Sequence, residues 1–96
     1  MIAAAECPCC HEGQLGYRLC ANRETVVLLC ETCALVWTHP NRLLAEHARD
    51  PLHPDFARQH PQIQLRSSRW ANPEEITAWG WGAYLLKPSD ILQGES

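Results

Sequence analysis

A chain of 96 residues, 46% hydrophobic and 20% charged, is long enough for one small folded domain and too apolar for a disordered one. Its formal charge of −3 excludes the overall cationic balance on which nucleic-acid binders rely. No run approaches the roughly 18–20 apolar residues of a membrane span.

Met1 to Glu6 has neither the basic start nor the apolar core of a secretion signal, so the expected location is the cytoplasm, where thiols stay reduced. Cys7-Pro8-Cys9-Cys10 follows, and Cys30-Glu31-Thr32-Cys33 comes later in the first third of the chain. Two C-x-x-C pairs at this separation are the spacing of a four-cysteine metal site. A two-residue gap lets the backbone curl so that both sulfurs meet one ion, and four thiolates close a tetrahedron at about 2.3 Å. Cys7, Cys10, Cys30 and Cys33 are therefore the expected ligands of one structural Zn²⁺. Iron on the same thiolates is the alternative metal, and Cys9 is the alternative ligand in the first pair. Three disulfides of a secreted protein would use all six cysteines, but the paired spacing favours a metal. Cys20 reads as a small buried hydrophobe.

Between the pairs, Gln14–Cys20 alternates, with Leu15, Tyr17 and Leu19 on one face of a strand. Ala21–Glu24 is a turn, with Asn22 suited to a left-handed conformation. Thr25–Leu29 is β-branched and apolar, a central strand that delivers Cys30. Ala34–Thr38 is a third strand, ended by His39-Pro40. Knuckle, strand, turn, strand, knuckle, strand is the order of a zinc ribbon, expected over residues 7–38.

At these residues the chain resembles the zinc-ribbon group with a rubredoxin-type first knuckle, Cys-Pro-x-Cys. It also resembles the bacterial cysteine-rich CPCC proteins in Cys7 to Cys10, Cys30, Cys33 and Trp37. The likeness covers residues 7–37. It departs from pattern where ribbon knuckles often carry Gly after the second Cys, since His11 and Ala34 stand there. Thr38-His39-Pro40 also replaces the acidic residues that follow Trp in the CPCC proteins. The resemblance implies an immunity-type protein whose partner is a bacterial toxin.

Residues 39–96 read as a mostly helical extension packed on the ribbon, which makes the chain a single α+β domain. Asn41–Arg49 holds good helix formers, with Leu43, Leu44 and His47 on one face. Pro54–His60 is one or two helical turns with Pro at the first position, and Gln62–Arg66 alternates as a short strand. Asn72-Pro73-Glu74-Glu75 is a helix start with a cap, a first-position Pro and a capping box. Ile76, Trp79, Ala83 and Leu86 then share one helical face, and Trp81, Tyr84 and Leu85 another. Gly80 and Gly82 bend that helix or end it early. Lys87-Pro88 stops it, and Ile91-Leu92 offers a docking point in the tail.

Of the five histidines, His39, His53 and His60 precede proline and belong in turns. His11 and His39 are the candidate substitute or supporting ligands. The arginines gather in residues 41–70 (Arg42, Arg49, Arg58, Arg66, Arg69), and Arg66-Ser67-Ser68-Arg69-Trp70 joins two residue types enriched in binding patches. Arg66, Arg69, Trp70 and Trp81 are the candidate partner-binding residues. A closed four-thiolate shell has no position for water, and no nucleophile triad, phosphate loop or deaminase motif is present. The expected function is non-enzymatic contact with another protein. A nucleic-acid-binding or transcription-associated ribbon is the alternative.

Overall fold

In a computed structural model that describes residues 1–85, the chain is built on a five-stranded antiparallel sheet. β1 (Ala3–Glu6), β2 (Gln14–Leu19), β3 (Val26–Cys30) and β4 (Val36–Trp37) lie in sequence order across it. β5 (Arg69–Trp70) pairs with β2. β1 meets Gln14 to Gly16, whereas β5 meets Arg18 and Leu19, so the two share the outer edge of β2 end to end. β2 is thereby paired on both sides.

Strand alternation builds two cores. Leu15, Tyr17 and Leu19 of β2, Val26, Leu28 and Cys30 of β3, and Trp37 of β4 face one side. There they pack with Ala71, Ile76 and Trp81. Val27, Val36 and Cys20 face the other side, covered by Phe56 and Ile63. A side-chain period of two thus carries the apolar residues of β3 to both faces. Phe56 reaches the sheet from α1 (Pro54–Gln59) and Ile76 from α2 (Pro73–Ala78).

These two short helices are the only α-helices among the described residues, so the second half is not mostly helical. Asn41–Arg49 forms no helix beyond one 3₁₀ turn at Ala45–His47. Tertiary bonds win over local propensity there. The Trp37 indole donates to the Leu44 carbonyl at 2.9 Å, and Arg49 bridges Val36 in both directions. Gln62–Arg66 is not a strand. It gives one backbone bond to the turn after β2, from Ala21 N–H to the Gln64 carbonyl, and buries Ile63. In the β2–β3 turn Asn22 accepts the amides of Glu24 and Thr25, while Arg23 takes the left-handed φ of 62°.

The helix start at Asn72 has both halves of its capping box. Glu75 N–H donates to Asn72 Oδ1 at 2.8 Å, and Asn72 N–H donates to Glu75 Oε1 at 3.0 Å. The helix stops at Trp79, and Gly80 turns the chain at φ 102°. Trp79 is consequently 40% exposed, whereas Trp81 is 8% exposed and enters the core. A second 3₁₀ turn spans Gly82–Leu85. Leu86, Lys87-Pro88 and Ile91-Leu92 lie outside the described residues.

The Asn72 amide, followed by the Arg69 guanidinium, holds the Glu75 carboxyl below the usual glutamate range. A carboxylate lowered on folding stabilises the fold above its unfolded pKa, and that contribution is lost as pH falls through the lowered value. Urea denaturation from pH 6 to pH 3 should therefore show wild type converging on Glu75→Gln at the acid end. A constant gap between the two would remove the carboxylate from this account.

Candidate metal centre

Each cysteine pair sits on a tight knuckle, and the two knuckles are built alike. In the first, His11 N–H donates to the Cys7 carbonyl at 3.1 Å, and in the second Ala34 N–H donates to the Cys30 carbonyl at 3.2 Å. Closing each turn places the residue after the second cysteine in the left-handed region, His11 at φ 55° and Ala34 at φ 63°. The sequence has no glycine there, yet the backbone keeps the ribbon geometry at a cost of roughly 1–2 kcal/mol per residue. Such strain persists where the surrounding structure fixes it, here the hydrogen bond that closes each knuckle.

The sheet brings the knuckles together. β3 ends on Cys30, whose N–H donates to the Leu35 carbonyl, and Glu31 N–H donates to the Gln14 carbonyl. Cys7 N–H donates to the Gly13 carbonyl and ties the first knuckle to the start of β2. The four sulfurs of Cys7, Cys10, Cys30 and Cys33 all lie within 4.8 Å of one another. Cys7 Sγ is 3.7 Å from Cys33 Sγ, and Cys10 Sγ is 3.6 Å from Cys30 Sγ. Four sulfurs at about 2.3 Å from a central ion lie about 3.8 Å apart along the tetrahedron's edges. The cross-knuckle distances match that edge. Backbone amides also point at the sulfurs, Cys10 N–H at Cys7, and Thr32 and Cys33 N–H at Cys30.

Thiols packed this closely compete for ionisation. The Glu12 backbone amide draws Cys10 down to about 7, whereas burial pushes Cys33 up to about 12. A divalent cation removes the conflict, because its ligands are all thiolates and its binding displaces the protons. The cluster is a metal-binding site.

The remaining sequence candidates lie elsewhere. Cys9 projects outward from the first knuckle and is exposed, and Cys20 is buried in the second core. His11 is exposed. His39 packs edge-on against Trp81 and Tyr84 at centroid distances of 5.6 and 5.9 Å and is not part of the four-sulfur cluster. Arg69 is held by both carboxylate oxygens of Glu75. Trp70 lies under the Arg18 guanidinium at 4.5 Å, with Arg18 fixed by two bonds to Ser68. Arg66 is exposed. Trp81 is in the main core against Tyr17, whereas Trp70 is half-buried at the sheet edge.

One residue the sequence reading passed over is Gly13. A Cβ there would meet Thr32 Oγ1 at 2.2 Å and Thr32 Cβ at 2.9 Å. The knuckles touch at this point, so a glycine three residues after Cys10 was the available signal. Gly13→Ala should separate them, costing about 1–3 kcal/mol as an overpacked site and weakening metal retention. A chelator-competition titration checks this, and wild-type retention would remove Gly13 from the site.

No protein-family model, curated protein or solved structure matches the chain.

Proposed function

We propose that the chain is a non-enzymatic zinc protein whose ribbon is a scaffold for contact with another protein. The observation that carries the zinc reading is the sulfur tetrahedron of Cys7, Cys10, Cys30 and Cys33. A shell closed by four thiolates leaves no coordination site for water or substrate, which supports a structural ion over a hydrolytic one. The same shell accepts iron, and a colourless loaded protein distinguishes zinc from it.

The surface supports a protein partner over a nucleic acid. Of the arginines gathered in residues 41–70, Arg58 is paired with Asp55 and Arg69 with Glu75, so part of the positive charge is already neutralised. Large apolar side chains are exposed instead, with Leu52 at 90% and Leu44 at 56%. Trp79 and Tyr84 are also exposed and replace the buried Trp81 as candidate anchors beside Arg66 and Trp70. The likeness of Cys7 to Trp37 to the CPCC proteins is what suggests a bacterial toxin as that partner, met in the cytoplasm. No helix among the described residues is long and apolar enough to cross a membrane.

Fluorescence anisotropy with labelled DNA and RNA at two salt concentrations tests the choice. The expected result is no binding tighter than about 10 µM near physiological salt, within the range of non-specific binders. Sub-micromolar, salt-sensitive binding lost in the Arg66→Ala/Arg69→Ala double variant would replace the protein partner with a nucleic acid.

A further inference from the structure

We propose that a groove beside the second core docks an acidic, aliphatic segment of another protein, an inference that rests on the protein-partner reading above and gives that partner a site. The groove encloses about 340 Å³ between α1 and the 63–66 segment, within the range of ligand pockets, about 300–1,000 Å³. Phe56 and Ile63, both buried, form its floor, Ala57 and Leu65 line it, and the exposed Leu52 and Arg66 stand on its rim. Both rim residues sit on hydrogen-bonded turns. Leu52 N–H donates to Asp50 Oδ1 at 2.9 Å, and His53 N–H donates to the Asp50 carbonyl at 3.1 Å. Ser68 N–H and the Ser68 hydroxyl both donate to the Leu65 carbonyl, at 3.1 and 2.6 Å, and close the turn that carries Arg66. Leu52 is therefore 90% exposed on a backbone that is already ordered, and such a backbone has less freedom to lose on binding.

Charge selects the occupant. Arg66 is the one charged residue lining the groove and takes part in no ion pair among the described residues, whereas Arg58 and Arg69 have carboxylate partners. The surrounding 41–70 stretch carries a formal +2, five arginines against Glu46, Asp50 and Asp55, in a chain of −3 overall. A segment that sets a carboxylate beside Arg66 and aliphatic side chains against Leu52, Phe56 and Leu65 complements both the charge and the apolar floor. A second copy does not. A two-fold contact uses the same patch twice, so it brings a second Arg66 to the groove and no lining carboxylate to meet either. Nucleic acid is matched no better, because one arginine in an apolar groove does not neutralise a run of phosphates.

The test is amide NMR on the zinc-loaded full chain, titrated with acetyl-Leu-Asp-Leu amide and, in parallel, acetyl-Leu-Lys-Leu amide. The acidic peptide should shift the amides of Leu52, Ala57, Leu65 and Arg66 at millimolar concentration and bind about fivefold more tightly than the basic one. Leu52→Ser should weaken it about tenfold, the loss of one buried leucine contact, and Arg66→Glu should reverse the preference between the peptides. Both side chains are exposed, so the rest of each variant's spectrum should match wild type. Equal binding of the two peptides, or no shift at these four residues, would overturn the proposal. Shifts gathered at Trp79 and Tyr84 would also overturn it, while leaving a protein partner in place at that other surface. Concentration-dependent shifts at the groove without peptide would assign it to a second copy, and contacts to it from residues 86–96 would assign it to the chain itself. Sub-micromolar, salt-sensitive binding of DNA or RNA in the anisotropy assay would overturn the protein-partner reading, and this inference with it.

Discussion

Cys30→Ser is expected to abolish metal binding and unfold the chain. Cys30 is 2% exposed, ends β3, and its sulfur accepts the amides of Thr32 and Cys33. The substitution removes one ligand and leaves three thiols crowded with no ion to share. Structural zinc supplies folding free energy on the order of 10 kcal/mol in small modules, comparable to the whole stability of a typical domain at about 5–15 kcal/mol. Far-UV circular dichroism and amide NMR dispersion should both report an unfolded chain. Cys20→Ala is the control. Cys20 is equally buried but belongs to the second core, so this variant should keep the metal and lose about 1 kcal/mol from packing. If Cys30→Ser folds and binds metal as wild type does, the four-thiolate site is not what holds the ribbon.

The second large effect is expected at Trp37. Its ring is fully buried in the main core with Cys7, Leu15, Leu28 and Cys30, and its Nε1–H donates to the Leu44 carbonyl. It therefore joins three parts of the molecule: the sheet, the back of the second knuckle and the 39–48 crossover. Trp37→Ala should cost about 3–5 kcal/mol from the lost ring. Trp37→Phe keeps most of the volume but orphans the Leu44 carbonyl, which should cost about 1–3 kcal/mol. Urea denaturation of the metal-loaded protein separates the two. Trp37→Ala within about 0.5 kcal/mol of wild type would place Trp37 among ordinary surface residues.

The central hairpin and the ligand set were legible because each rests on local information. Leu15, Tyr17 and Leu19 alternate, Val26 to Leu28 are β-branched or apolar, and the cysteine spacing names its own ligands. The capping box at Asn72 and the early helix end at Gly80 were legible for the same reason. Elements specified by distant partners were not. Ala3–Glu6 and Arg69–Trp70 carry weak strand signals and become strands because each finds half of the open edge of β2. The expected third strand shrinks to Val36–Trp37, because Ala34 takes a positive φ and Leu35 gives its carbonyl to Cys30 in closing the knuckle. Asn41–Arg49 has helical residues, but the Trp37 indole and the Val36 backbone claim Leu44 and Arg49. Trp81, expected as a partner-binding residue, enters the core while Trp79 is exposed, because the chain turns at Gly80 between them, and where a side chain lands after such a turn depends on tertiary packing. Cysteine spacing did not reveal the close approach of Gly13 to Thr32, which exists only once the sheet has brought the two knuckles together.

The most direct measurement is metal content of the folded, reduced chain, taken by elemental analysis beside native mass spectrometry. One zinc per chain, removed by a strong chelator together with the fold and restored with it, is the predicted result. A chain that is folded, fully reduced and free of any metal would contradict the account at its centre.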